Sequence, residues 1–275
     1  MRIRIIFKLK NKGALLPFQH QHLLAATIEE IIAGGQNSSS FYNFSALKGQ
    51  MRISRLGLHY YSSRVTLVFS CLDENFARFF LIRLFSYQVI EVGEMLLIPE
   101  YVEKEELPLF EGSMKYICLS PIVLLNEENE LRTKEFIQPD SDEFSDLLYE
   151  STMARMEQSG LFTAEEISSF YRFQLVPEIS YITKLGKEEK KFARIYNVYE
   201  DTSRTEVRGY TFPFELYAHP RVHEFVFQCG LGEFSAHGYG MLDMANSDPT
   251  LRTIPYQFFS SYLGSTEGIM ASSKK

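Results

Sequence analysis

The chain has 275 residues, 45% of them hydrophobic, and a formal net charge of −7. That length holds one large or two ordinary domains with proper cores. Cys71, Cys118 and Cys229 match no metal spacing, and Arg78 and Arg83 interrupt the longest apolar run, so disulfide-scaffold and membrane-spanning classes are excluded and a reduced, cytoplasmic setting is expected.

Residues 2–10 alternate strictly, which is the pattern of a half-buried strand: Ile3, Ile5, Phe7 and Leu9 on one face, Arg2, Arg4, Lys8 and Lys10 on the other. This start does not read as a signal peptide. Pro17 stands where a helix begins; Leu24, Ile28, Ile31 and Ile32 give its apolar stripe, and Gly34-Gly35 ends it. A Ser-rich loop follows at 37–40. Residues 51–60 and 64–70 read as strands. Asp73 caps a second helix over 74–86, and 88–99 reads as a closing strand. The order β-α-β-β-α-β predicts a ferredoxin-like unit.

The order then repeats with insertions. Residues 115–125 form a strand, 126–142 an acidic loop and 144–158 a helix. Thr163-Ala-Glu-Glu166 is a capping box. Segments 172–184, 192–199 and 206–217 carry strand character. Pro220–Cys229 is a helix, and 239–245 is the last strand. The predicted fold is α+β: two tandem ferredoxin-like, RRM-like domains at 1–112 and 113–246, then a tail over 247–275.

Charge is unevenly spread. Residues 100–166 hold 17 Asp/Glu against 5 Lys/Arg, whereas residues 1–64 hold nine Lys/Arg and only Glu29 and Glu30 as acids. Phosphate binding needs a local basic surface rather than a basic total, so a nucleic-acid partner stays open beside the plainer reading of a solvated face.

Near the end stands Gly230-Leu-Gly-Glu-Phe-Ser-Ala-His-Gly-Tyr-Gly240, four of the sixteen glycines in eleven residues. Ser235 breaks a Gly-x-Gly-x-x-Gly register and no Gly-Lys-Ser/Thr follows, so the usual nucleotide loops are excluded. Glycine brings backbone N–H groups close to a ligand, so Gly230, Gly232, Gly238 and Gly240 are candidates for cradling phosphate.

This loop before an apolar strand resembles the C-terminal loop of the RAMP superfamily. Leu16-Pro17 before the first helix, Phe41-Tyr-Asn-Phe-Ser-Ala-Leu-Lys-Gly49 and Cys118-Leu-Ser-Pro-Ile-Val123 add to the likeness. Together, over roughly residues 1–245, they resemble the CRISPR-associated endoribonucleases that cut repeat RNA into guide RNAs. The resemblance implies attack of a ribose 2′-OH on the adjacent phosphate, a 2′,3′-cyclic phosphate product, and no metal or other cofactor. It implies CRISPR repeat RNA as partner, with other subunits of a CRISPR complex or a second copy as further partners and no membrane.

The chain departs from the family where many members carry a histidine after the first helix: Ser38–Phe41 stand there instead. The candidates that remain are His22, on the polar face of the first helix with Ala26 and Glu29, and His20, on its apolar face. Lys48 is the candidate for neutralising the phosphorane. Arg52 and Arg55, with His237 in the glycine loop, are candidate RNA contacts. His59 reads as a sheet-surface residue and His223 as a solvated one. Without the histidine, a silent RNA-binding subunit of the same fold is the alternative; a ferredoxin-like enzyme for a small phosphorylated ligand is a third reading.

Overall fold

The computed structural model describes residues 1–33, 41–125, 133–187, 191–200 and 203–258. The Gly34-Gly35 stop, the Ser-rich loop and most of the 247–275 tail lie outside the described residues. In the first half the elements are β1 (Arg2–Leu9), β2 (Leu15–Leu16), α1 (Gln21–Ile32), β3 (Tyr42–Phe44), β4 (Met51–Ile53), β5 (Leu58–Tyr60), β6 (Arg64–Cys71), α2 (Glu74–Leu84), β7 (Ile90–Val92) and β8 (Met95–Glu105). The main sheet runs β8-β1-β6-β3, all antiparallel, which is the ferredoxin-like order. Ile3, Ile5, Phe7 and Leu9 point into a core shared with Leu24 and Ile28 of α1 and Phe80 and Leu84 of α2. The Asp73 carboxylate accepts from Asn75 N and starts α2, as its position implies.

Two strands differ from expectation. The second strand of the sheet is β3, not 51–60. Residues 51–60 fold back at Ser54–Gly57, where Ser54 N donates to Gly57 O (2.9 Å), and β4–β5 joins β2 in a separate sheet. Residues 88–99 also contain a turn, at Gly93 (φ +57°), so β7 and β8 form a hairpin.

The second half has β9 (Ser113–Cys118), β10 (Ile122–Val123), α3 (Asp142–Gln158), α4 (Ala164–Ser169), β11 (Phe173–Pro177), α5 (Ile179–Lys187), β12 (Ala193–Glu200), β13 (Ser203–Tyr210), β14 (Phe214–Ala218), α6 (Pro220–Cys229) and β15 (Leu242–Met244). Its sheet runs β11-β14-β9-β15, the same ferredoxin-like order. Phe144 and Leu148 of α3 and Val222, Phe225 and Val226 of α6 fill its own core. The Thr163–Glu166 capping box opens α4 as read. The strand expected over 172–184 ends at Pro177 and continues as helix α5. β12 and β13 form a long hairpin, and β13 pairs with β10 in a further, three-stranded sheet.

The expected tail is in part built into the first half. β16 (Thr253–Pro255) pairs with the outer edge of β8, and Phe258 is buried in the first core. Its three residues are too few to show a period. Arg2 and Arg4, read as solvent-facing, are 0% and 8% exposed. The second half covers this end of the sheet: Arg2 donates to the carbonyls of Phe227 (3.2 Å) and Leu242 (2.9 Å) and pairs with Glu105 (3.2 Å).

His223 corrects another expectation. It is fully buried on α6, with Nδ1 3.0 Å from Tyr116 Oη, and burial pushes its pKa down to about 4. The unfolded chain therefore holds an extra proton between its ordinary 6.5 and about 4, and stability falls as pH drops through that window. His223→Gln should remove an acid sensitivity on the order of 3 kcal/mol, read as a flatter melting temperature between pH 6.5 and 4. An unchanged slope would assign the sensitivity to other groups.

Candidate functional site

His20 stands just before α1, and its side chain caps no backbone N–H. Its Nδ1 lies 3.0 Å from Pro17 O, and burial, at 6% exposure, lowers its pKa. The helical period then puts Gln21, Leu24, Ala25, Ile28 and Ile31 inward. His22, Ala26 and Glu29 fall on the next face. That face is not open surface: the β12–β13 hairpin and the glycine loop stand opposite it.

The loop is held from both halves. At the end of α6, carbonyls without helical partners need donors. Arg155 of α3 supplies them: Nη2 donates to Cys229 O (2.6 Å), Nη1 to Gly230 O (2.9 Å) and Gly232 O (2.8 Å). Its Nη2 also reaches Ser235 Oγ (3.0 Å). From the first half, Gln21 Nε2 donates to Gly238 O (2.7 Å) and Asn43 Nδ2 to Tyr239 O (2.7 Å). Residues 233–237, partly exposed, span the gap between these anchors.

A cleft of about 250 Å³ results, lined by His22, Ala25, Ala26 and Glu29 of α1, Asn197, Val198 and Tyr199 of β12, and His237 and Tyr239 of the loop. His237 Nε2 lies 3.9 Å from Glu29 Oε1. The His22 and Tyr199 rings are 5.0 Å apart. Asn197 donates from Nδ2 to Gln19 Oε1 (2.9 Å) and accepts from Arg204 Nε (2.8 Å). Two imidazoles and a carboxylate in one cleft can take and give protons.

A family model described as CRISPR associated protein Cas6, C-terminal, matches residues 103–244, just over half the chain. The chain belongs to the Cas6 family. It is a CRISPR-associated protein of repeat-RNA processing. Among solved structures, an RAMP protein that binds different RNA substrates is 17% identical (TM-score 0.70) and is matched over 90% of this chain and 100% of its own. A CRISPR-associated protein Cas6 is 18% identical, over 90% of this chain and 99% of its own, with a TM-score of 0.70. A Cas6-related protein from Pyrococcus furiosus is 16% identical over the same shares, also at 0.70. At these identities the likeness establishes the fold. No curated protein matches.

Against this Cas6 cleft the sequence candidates divide. His22 and His237 line it; His20 is buried beneath it. Lys48 is not brought to it. Lys48 pairs with Thr66, and Thr66 with Ile6, so it belongs to the sheet face turned away from α1. Burial there lowers its ammonium to about 8, with Asp243 opposing and Arg4 and Arg2 adding to the shift. Arg52 and Arg55 are exposed on the β4–β5 hairpin, Arg52 over the Tyr61 ring at 5.2 Å. His59, on β5, has Nδ1 3.1 Å from Gly13 O and Nε2 3.0 Å from Ser54 Oγ.

The glycines have a packing task in the fold. All four are buried, and the N–H groups of Gly230, Gly238 and Gly240 donate to Val226, Ser235 and Pro121 carbonyls. They let the loop pass close to its neighbours and hold 233–237 in place. Arg155 was not foreseen, because it sits among acids in an acidic segment. Its spacing from Leu148 and Thr152, seven and three residues on, does place it on the buried stripe of α3.

At Gly238 the backbone is left-handed (φ +80°), and a Cβ would overlap the Gln21 amide and the Phe44 ring. Gly238→Val should therefore cost about 2 kcal/mol or more. In a melting experiment this is a drop of several degrees. A variant with the wild-type melting temperature and weakened RNA binding would restore the phosphate-cradle reading.

Proposed function

We propose that this protein is an endoribonuclease that cuts CRISPR repeat RNA at the cleft between α1 and the glycine loop. The observation that carries this reading is that His22 and His237, from opposite ends of the chain, line the same cleft. Cleavage by a ribose 2′-OH needs one proton removed from that hydroxyl and one delivered to the departing 5′-oxygen. The attacking oxygen bonds to phosphorus as the bond to the 5′-oxygen breaks, leaving a 2′,3′-cyclic phosphate and a 5′-OH. Two imidazoles suit this pair of transfers. Glu29, facing His237 Nε2, orients that ring as a carboxylate orients imidazole elsewhere. No lysine or arginine is among the lining residues; the charge work falls to Arg204, held on Asn197 of the cleft wall.

Arg52, Arg55 and the partly exposed 233–237 segment would hold the RNA on either side. A second reading, binding without cutting, is favoured by one feature: no histidine stands in residues 33–49, where many relatives carry one.

His22→Ala and His237→Ala should each slow single-turnover cleavage roughly 10²- to 10⁴-fold with little change in RNA affinity. The reaction should proceed in EDTA, yield a 2′,3′-cyclic phosphate, and stop when the scissile ribose is 2′-deoxy. Wild-type rates in both variants would place the chemistry elsewhere. Tight binding by wild type with no cutting would select the second reading.

A further inference from the structure

Tyr199 takes no part in these proton transfers, yet it is the exposed tyrosine of the cleft: 44% exposed, where Tyr239 is 2%. Its place follows from the period of β12. Asn197 and Tyr199 share the face turned to α1, while Val198 between them is 2% exposed, packed with Val123, Val207 and Tyr239. The strand is tied to the start of α1 by Gln19, which donates to Ile195 O (2.8 Å) and accepts from Asn197 Nδ2. Two residues beyond this anchor, the Tyr199 ring rests against His22, and its hydroxyl makes no hydrogen bond among the described residues. Directly across the hairpin from Tyr199 is Arg204, its guanidinium held by Asn197 Oδ1 and 3.4 Å from Glu206.

The reaction itself creates a need for such a ring. In an A-form strand the 2′-oxygen, phosphorus and 5′-oxygen are far from collinear. In-line attack therefore requires the nucleotides around the scissile phosphate to unstack, and an unstacked base needs a surface to rest on. A half-exposed tyrosine against one of the reacting histidines, with a guanidinium opposite, offers a base a stacking face and its phosphate a cation.

We propose that Tyr199 is the stacking surface for the base of a nucleotide flanking the scissile phosphate, with Arg204 on that phosphate. The proposal rests on the reading of this cleft as the place of cleavage. Tyr199 is then a positioning residue that selects an unpaired base beside the cut.

The test uses repeat RNA with a 2′-deoxy scissile ribose and 2-aminopurine placed singly at each position. The chain has no tryptophan, so the fluorescence reports the RNA. Binding should quench one position beside the cut in wild type and in Tyr199→Phe, but not in Tyr199→Ala. Tyr199→Ala should weaken binding roughly 5- to 100-fold, and an abasic site at that position should abolish the difference between the two proteins. If Tyr199→Ala weakens intact and abasic RNA equally, or leaves the quench in place, Tyr199 only packs on His22 and the proposal fails. Equal melting temperatures of the variants exclude misfolding. Because nothing is cut in this assay, it is independent of the histidine variants. Quenching by Tyr199 far from any cut would overturn the stated position.

Discussion

The polar clamp on the glycine loop is the constraint on which the rest of the site depends. Arg155 gathers three backbone carbonyls and a hydroxyl from one helix end, and no other residue type spans that set. Hydrogen bonds to a charged donor stabilise by about 1.5–3 kcal/mol each, and losing the donor would leave carbonyls unpaired in a low-dielectric setting. At the far end of the loop, Gln21 and Asn43 complete the clamp from the first half. Gln21 is the residue before His22 on α1. The same turn of helix that fixes the loop therefore aims His22 at it, and the two histidines are registered to each other through one set of amides.

A second network sets how the halves meet. Arg2 of β1, Glu105 of β8, Asp243 of β15 and Arg252 form a largely buried cluster, with Arg252 3.0 Å from both acids. Charges taken from water rarely add net stability, but leaving one unpaired is costly, so such a cluster admits few alternative arrangements. It joins the first strand, the strand that follows the glycine loop, and the segment that returns as β16. The two halves thus meet through amides at the glycine loop and through ion pairs at the other face of the first sheet.

What was legible in the sequence was whatever a local period encodes. The alternation of β1, the stripe of α1 and the capping box at Thr163 each specify one element, and the α1 stripe was enough to separate His20 from His22. Whatever depends on the second half covering the first was hidden. Arg2 and Arg4 alternate like solvent-facing residues, and His223 reads as polar; each is buried by an element distant in the chain. The glycines were visible as a motif, but their φ angles and neighbours decide whether they serve a ligand or the fold. β4–β5 was misread because Ser54–Gly57 turns a continuous polar-apolar segment back on itself.

The charge pattern acquires a physical sense once the cleft is seen. Its lining is built from imidazole, amide, tyrosine and alanine, with Glu29 as the charged side chain, while Arg52 and Arg55 stand exposed on a separate hairpin. Affinity drawn from exposed cations is salt-dependent and indifferent to sequence. Stacking and hydrogen bonding in a nearly neutral cleft are neither. A protein with net charge −7 can then engage RNA through a few local cations without gripping every strand it meets.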